Sequence, residues 1–461
     1  MSYAPIMIGR LVDRLNKGFI MIKKEKNRKF NLKIKSKDID PRALFITKRL
    51  NDSGYEAIVV GGCIRNLIMG EEARDWDITT NATPDKISRA FKEFKVIPVG
   101  KKFGTVTVVI DRINYEVSTF KKNKSALTPN LFEDLRHRDF TINAFTWSEE
   151  EGVIDYFNGL EDIKQKIIRG VENPVERIEE DPLRMLRAIR LACELDFKID
   201  KATLQAIEEN SSLIKKVSLE RIRNELIKIL LSNSPKRGIQ LLHQLRLLKF
   251  ILPEIESAVG FYAEGSYKGK DLFSYILDMA DNLPQDLTPR LSILLYDIEK
   301  SQPSHSKREI TDRILHRLRF KNSLFKKVNV LIREDWQKAD LSSKKSIRQI
   351  ISRVGEENVL SILELKKADF RGRKDAYKFD QMEKIEKEIR EILQERPPLS
   401  LKDLAINGKD LIDLGYQEGK VIGEILKKLL NTVIDRPELN SKEFFYSKLR
   451  KSKKLRNKSE K

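Results

Sequence analysis

The stretch VVGGCIRNLIMGEEARDWDITT, Val59 to Thr80, sets two glycines after a short apolar run, then an arginine, then two aspartates separated by one tryptophan. In a strand, residues i and i+2 face the same side. Asp75 and Asp77 would therefore present two carboxylates together, with Trp76 turned into the packing behind. Two carboxylates held close repel unless a cation sits between them. A hard divalent ion such as Mg²⁺, which takes carboxylate oxygens together with substrate phosphates, suits the pair. Gly61 and Gly62 let backbone N–H groups approach a phosphate, and Arg65, in the first turn of the following helix, can pair with it. A D-x-D pair alone is also common on solvent-facing strands; the combination is much rarer.

The pattern continues on both sides. Between Tyr55 and Trp147 the β-branched and alternating runs YEAIVV, DWDITT, GTVTVVI and NYEVSTF are broken by Gly, Asn and Pro, which predicts an α/β region of strands with helices between them. Glu116 alternates with Tyr115 and Val117 and faces away from them. It either completes an acidic trio with Asp75 and Asp77 or is an exposed edge-strand acid. Two-metal phosphoryl transfer uses such a trio, one ion activating an attacking hydroxyl and the other stabilising the leaving pyrophosphate, with no histidine base required. Beyond residue 150, PLRMLRAIRLACEL, LERIRNELIKILL and KVIGEILKKLLNTVI carry apolar residues at three- and four-residue spacing. The remainder is expected to be almost wholly helical.

Composition sets the bounds. A chain of 461 residues exceeds what one core organises, so several domains are expected, at roughly 100–200 residues each. With 89 Lys+Arg against 69 Asp+Glu the formal charge is +20, which favours a polyanion such as nucleic acid, a membrane surface being the other candidate. No apolar run approaches the roughly 18–20 residues of a spanning helix. The N-terminal MSYAPIMIGRLVDRLNKGF lacks a continuous apolar core with a small-residue cleavage site, and a soluble, cytoplasmic protein is expected. Cys63 and Cys193, far apart in sequence, argue for neither a disulfide framework nor a zinc site. Both ends are lysine-rich. The segments IKKEKNRKFNLKIKSK and SKLRKSKKLRNKSEK, the second containing Lys448, Arg450, Lys451, Lys453 and Lys454, read as mobile basic arms that contact RNA or simply solvate.

In combination, Val60-Gly61-Gly62, the DWDI segment, RHRDFTINA from Arg136 to Ala144 and EEDPLRMLRAIRLACEL resemble the class II tRNA nucleotidyltransferase and bacterial poly(A) polymerase family. These are template-independent polymerases that extend RNA 3′ ends. The resemblance runs from about Ile39 to Phe445 and implies an α+β chain. A basic extension over 1–36 would precede an α/β nucleotidyltransferase head of polymerase-beta type over 37–150. A helical neck with a nucleotide-reading motif over 151–235, a helical body resembling a degenerate HD domain over 236–385, a tRNA-binding tail over 386–445 and a basic arm over 446–461 would follow. In that frame Asp75, Asp77 and Glu116 bind Mg²⁺ and carry the chemistry. Gly61, Gly62, Arg65, Arg138, Asp139 and Asn143 bind the nucleotide, Arg138 and Asp139 at its phosphates and ribose hydroxyls. The usual R-R-D stands here as His137-Arg138-Asp139 and the usual V-R-D as Ile64-Arg65-Asn66, so His137 and Asn66 depart from the pattern.

The segment EDPLR can be read independently. Asp181 and Arg184 are three apart, so on a helix they share one face. A carboxylate acceptor beside a guanidinium donor complements cytosine and adenine, which both offer an amino donor and a ring-nitrogen acceptor. Uracil and guanine present the reverse polarity, and buried unpaired groups cost the wrong base about 1–3 kcal/mol each. Asp181 before Pro182 is also a good helix N-cap followed by an N1 proline. The resemblance implies base reading, with Glu180 and Arg187 as supports.

The segment GKKFGTVTVVIDRINYEVSTF is similar to the CCA-adding branch; polyadenylating relatives usually carry an arginine-rich sequence in place of FGT. The implied activity is addition of CCA to a tRNA 3′ end from CTP and ATP. Poly(A) addition is the enzymatic alternative, and a non-catalytic RNA-binding protein the alternative of another class. Between STF and EDLRHRDF the chain has only KKNKSALTPNLF, with Lys121, Lys122 and Lys124. It is shorter than the segment implied to serve the switch from C to A, so a CC-adding enzyme with a separate A-adding partner is a further subtype. PRLSILLYDIEK resembles the LLHDIGK of HD phosphohydrolases, but Tyr296 and Tyr275 stand where histidines belong. The chain's four histidines, His137, His243, His305 and His316, cannot assemble that metal centre.

Overall fold

The computed structural model describes residues 33–98, 104–121, 126–262, 267–373 and 376–459. It divides into two compact units, the first ending at Ile251 and the second beginning at Leu252. The N-terminal basic segment to residue 32, and Lys122 and Lys124, lie outside the described residues.

The first unit is built on a seven-stranded mixed sheet. Its strands are β1 (Ala57–Val60), β2 (Asp77–Thr80), β3 (Lys95–Ile97), β4 (Thr105–Ile110), β5 (Ile113–Thr119), β6 (Phe145–Ser148) and β7 (Gly152–Asp155), in the order β3-β4-β5-β2-β1-β6-β7. Neighbours run antiparallel except β2 and β5, which run parallel with Asp77 opposite Glu116. In β4 the alternation TVTVVI buries Val106, Val108 and Ile110 on one face. The apolar β1 is buried along its length between β2 and β6, with α1 (Pro41–Asp52) packed on it. Asp40 starts α1 by accepting the N–H groups of Arg42 and Ala43, and Ala43, Ile46 and Leu50 form the buried stripe. Because β7 pairs with β6, the head sheet extends past the expected limit of residue 150.

Helix α2 (Gly62–Met69) leaves β1 through Gly61, whose φ is +96°, and stops at Gly70, φ +76°. Both are conformations that glycine adopts without strain. Next come α3 (Pro84–Ala90), α4 (Leu131–Arg136), α5 (Gly159–Gln165), α6 (Pro174–Glu180), α7 (Arg184–Glu194), α8 (Lys201–Glu209), α9 (Leu219–Leu231) and α10 (Pro235–Gln244). From α5 to α10 the regular elements are helical except for a short parallel pair, Ile167–Ile168 with Lys198–Ile199, which the helical periodicity did not announce.

In the second unit all regular elements among the described residues are helices. Its C-terminal part has its own core of Leu404, Ile406, Leu411, Leu429, Val433, Phe445 and Leu449. The last helix, Lys442–Ser459, runs through the expected boundary at residue 445. The basic C-terminal segment is therefore a continuation of the tail helix and not a separate arm, because Phe445 and Leu449, four apart, pin one face of it. No helix among the described residues is long and apolar enough to cross a membrane.

Candidate active site

One cleft of about 1160 Å³ in the first unit is lined by all twelve head and neck residues singled out above. The acids Asp75, Asp77 and Glu116 share it with Gly61, Gly62 and Arg65, with Arg138, Asp139 and Asn143, and with Asp181, Arg184 and Arg187.

Asp77 opens β2, opposite Val60 on β1 and Glu116 on β5. A β-carbon on Gly61 would lie 3.3 Å from its Oδ2 and 3.4 Å from Arg138 Nη1. The glycine thus serves both its positive φ and the close approach of an acid and a guanidinium. Glu116 is exposed while Tyr115 and Val117 are buried on the opposite face. Asp75 differs from expectation: β2 begins at Asp77, so Asp75 lies in the irregular segment before it, exposed, and Trp76 is half-buried. The trio shares the cleft without closing up. Among the described residues no three His, Cys, Asp or Glu side chains are gathered so as to hold a metal ion. Asp77 nonetheless carries the strain of the site. Burial, above all, pushes its carboxyl above the ordinary range; Arg138 opposes this, and the charges of Glu116 and Asp75 add to it. A carboxylate whose charge is disfavoured in this way is one that a divalent cation relieves. The donor set of Asp77 with Asp75 or Glu116, completed by substrate phosphate oxygens, fits such an ion.

On the adjoining wall Arg65 is enclosed, and burial, reinforced by the positive charge of Arg190, lowers its pKa. Its Nε and Nη2 donate to Asn66 Oδ1 at 3.1 and 2.8 Å, and Nη1 donates to Asn143 Oδ1. Asn66, one of the two departures, therefore holds Arg65. Asn143 Nδ2 donates to Asp139 Oδ1 at 3.1 Å, and Asp139 Oδ2 lies 2.7 Å from Arg187 Nη2. Burial works against the charge on Asp139, but Arg187 and Arg184, with hydrogen bonds from Asn143 and the Phe140 N–H, outweigh it and keep the carboxyl below the usual range. Arg138 sits 3.5 Å from Asp134.

The EDPLR segment is arranged differently from the single-helix reading. Asp181 ends α6 with an extended backbone, φ −146° and ψ 97°, while α7 starts at Arg184. The two side chains do not share a helix face, because the residue before Pro182 is disfavoured in the helical region. The N-cap alternative holds in part: α7 itself begins at Arg184 behind Leu183, but the extended Asp181 accepts the Leu183 N–H on Oδ1 at a long 3.4 Å and the Arg184 N–H on its carbonyl at 2.9 Å. Arg184 Nη1 donates to Glu180 Oε2 at 2.7 Å and to the Arg177 carbonyl at 2.8 Å, and its Nη2 donates to the His137 carbonyl. Glu180 Oε1 accepts from Arg177 at 2.8 Å and lies 2.7 Å from His137 Nδ1. His137, the other departure, is thereby tied to the group that steadies Arg184.

Sequence reasoning missed Arg190, Arg221 and Lys228, which also line the cleft. Arg190 was detectable, since it continues the three-residue stride of Arg184 and Arg187 along α7. Arg221 and Lys228, seven apart on α9, share a polar face whose partner no local pattern names.

In the second unit the segment resembling an HD motif holds Asp297 buried, its Oδ2 accepting from the Tyr267 hydroxyl at 3.2 Å and from Lys300 at 2.6 Å, its Oδ1 from Lys307 at 3.3 Å. Tyr296 packs against Trp336 and under the Lys307 ammonium. Lysine cations and phenol groups surround the acid there. On the last helix Lys448 donates to Thr432 Oγ1 at 3.0 Å and lies over the Phe444 ring, and Arg450 is exposed. The side chains of Lys451, Lys453 and Lys454 lie outside the described residues.

Residues 57–169 match the family described as "Poly A polymerase head domain", residues 196–259 that described as "Probable RNA and SrmB- binding site of polymerase A", and residues 304–449 domain 2 of the tRNA nucleotidyltransferases. Fold and site together define a nucleotidyltransferase. The chain is 31% identical over 421 residues to the CCA-adding enzyme of Ligilactobacillus salivarius, a match covering 89% of this chain and 96% of that one. It is 32% identical over 412 residues to that of Pediococcus pentosaceus, covering 86% and 93%. The crystal structure of the Bacillus stearothermophilus CCA-adding enzyme in complex with CTP is similar with a TM-score of 0.73 at 28% identity, covering 91% of this chain and 100% of that chain. The chain belongs to the CCA-adding enzyme family.

Proposed function

We propose that this chain transfers CMP from CTP, and then AMP from ATP, to the 3′ end of tRNA. In each step the terminal hydroxyl gives up its proton to solvent, its oxygen bonds to the α-phosphorus of the incoming nucleotide, the bond from that phosphorus to the bridging oxygen breaks, and pyrophosphate leaves. The observation that carries this reading is the convergence of the acidic wall at Asp77 with the arginine face of α7 in one cleft. Asp75, Asp77 and Glu116 would hold a divalent ion, Mg²⁺ in our reading. When bound, the ion stabilises charge on the attacking and leaving oxygens. Arg138, beside the Gly61 turn, supplies a fixed cation for the triphosphate. Gly61 and Gly62 admit it close to the backbone N–H groups that start α2. Asp181 and Arg184 read the base edge. On the same basis we assign the neck, after β7, to 156–235, the body to 236–385 and the tail, with its last helix, to 386–459, and tRNA contact to Lys448, Arg450, Lys451, Lys453 and Lys454, in a cytoplasmic enzyme.

A second reading, in which the chain adds CC and a separate enzyme adds the final A, is supported by the segment between β5 and α4. Lys121 pairs with Leu127 and its N–H donates to Asp134 Oδ1 at 2.9 Å, so the connection is short and its described ends are held together. The test of the proposal is incubation of purified protein with tRNA lacking its 3′ end, with CTP and ATP supplied separately and together. C addition from CTP alone, with A added only behind it, is expected. No incorporation overturns the proposal, and long tracts from ATP alone support poly(A) addition instead.

A further inference from the structure

The partner of Asp181 in this structure is Arg221. Its Nη1 and Nη2 donate to Asp181 Oδ1 and Oδ2 at 3.1 and 2.7 Å, a two-point pairing between α9 and the segment that follows α6. A carboxylate in this position has two chemical identities. Ionised, it only accepts hydrogen bonds, and so suits the amino group of cytosine or adenine. Protonated, it gains an O–H donor that can meet the carbonyl oxygen of uracil or guanine. Discrimination between the two pairs of bases therefore depends on Asp181 staying ionised, and not merely on its being present.

We propose that Arg221 is a positioning residue for base selection, which holds Asp181 as an acceptor-only group facing the cleft and thereby excludes uracil and guanine. The proposal rests on the base-reading role of Asp181 given above. The charged groups acting on Asp181 are Arg221 from α9 and Arg184 and Arg187 from α7, and Glu180, the last residue of α6, lines the same cleft. Glu180 is engaged by Arg177, Arg184 and His137, and Arg187 is paired with Asp139. Arg221 is thus the cation that hydrogen-bonds Asp181 directly among the described residues. A guanidinium fork takes one lone pair from each oxygen; the Leu183 N–H approaches Oδ1 as well, and Oδ2 keeps a lone pair for a base. Burial alone raises the Asp181 pKa, but the hydrogen bonds and charge of Arg221, the Leu183 N–H and the charge of Arg184 outweigh it and hold the carboxyl below the usual range. Arg221 is itself 46% exposed at its side chain, so its replacement leaves no cavity in the core.

The experiment measures the ratio of kcat/KM for CTP over UTP on tRNA lacking its 3′ end, from about pH 8 down to about pH 5.5, a window above the ordinary carboxylate pKa. For the unmodified protein the ratio is expected to be flat. In Arg221→Ala the Asp181 carboxyl loses the partner that offsets its burial, and the ratio is expected to fall on acidification by about tenfold, the worth of one mispaired group. Arg221→Lys, which keeps the charge without the fork, is expected to fall less. A ratio in Arg221→Ala that does not change with pH, whether unaltered or lowered uniformly, overturns the proposal. Asp181→Asn separates the two levels of the argument. It is expected to lower the ratio at every pH with no slope, and an unaltered ratio there overturns the base-reading role itself.

Discussion

Asp77 is held where its charge is costly. Its carboxyl is raised above the ordinary range, by burial first and then, against the pull of Arg138, by Glu116 and Asp75. The folded chain therefore binds a proton there more tightly than the unfolded chain, and this group's contribution to stability falls as pH rises through its range. Asp77→Asn removes that penalty. In the absence of divalent ions the variant is expected to melt at a higher temperature than the parent at pH 7, with the difference shrinking as pH falls. Nucleotide incorporation is expected to drop by orders of magnitude for CTP and ATP alike, with tRNA binding nearly intact because it rests on distributed basic contacts. Calorimetry and primer-extension assays on the same preparation check both halves. Retained incorporation refutes the metal-binding role. Chelation by EDTA is expected to reproduce the loss of activity without altering the fold.

The elements place these side chains by packing that a single site residue does not reveal. The turn Thr141–Asn143, which carries Asn143 beside Asp139, rests on the first residue of α5. A β-carbon on Gly159 would overlap the Thr141 carbonyl oxygen and come within 2.9 Å of Phe145 Cζ. Gly159→Ala is expected to destabilise the protein by about 1–3 kcal/mol, as overpacking does. It should also raise KM for the nucleotides, since the backbone that moves carries Asn143; a melting curve and initial rates against CTP measure both. Here the reach of sequence reading is clear. The alternation of β4 and β5, and hence the exposure of Glu116 against buried Tyr115 and Val117, was legible because strand periodicity is local. The helix α7 was legible from the three- and four-residue spacing of its apolar residues, whereas Arg187 was named by the resemblance alone. That Asp75 falls outside β2 and that Pro182 separates Asp181 from Arg184 were decided by where elements end, which periodicity locates poorly. The pairing of Asp181 with Arg221 crosses 40 residues, and no local pattern encodes it.

Over the whole molecule the formal charge of +20 is the property that sequence states outright, and it predicts tRNA affinity that falls steeply with salt while the choice between CTP and UTP, set inside the cleft, does not. Filter binding and nucleotide ratios across a salt series separate the two. The product of the reaction depends on a more local matter. Passing from C to A in one cleft requires the pocket to re-form around a larger base once the RNA end has grown, and a mobile connection is the part of a fold suited to that change. Here the connection from β5 to α4 is short and tied at Lys121 to Leu127 and Asp134. The Lys121 ammonium, whose pKa burial lowers, also donates to Thr105 Oγ1 at 3.2 Å. Ends paired in this way, with Lys121, Lys122 and Lys124 in the sequence of the connection, suit contact with phosphate more than a lever. On tRNA lacking all three terminal nucleotides, with CTP and ATP both present, the CC-adding reading expects fast C addition and a slow final A, whereas the CCA-adding reading expects both to run to completion. Sequencing of the product ends over time decides it. A CC end that persists at high enzyme concentration supports the argument from the short connection, and rapid completion to CCA shows that the pocket re-forms without that connection's help.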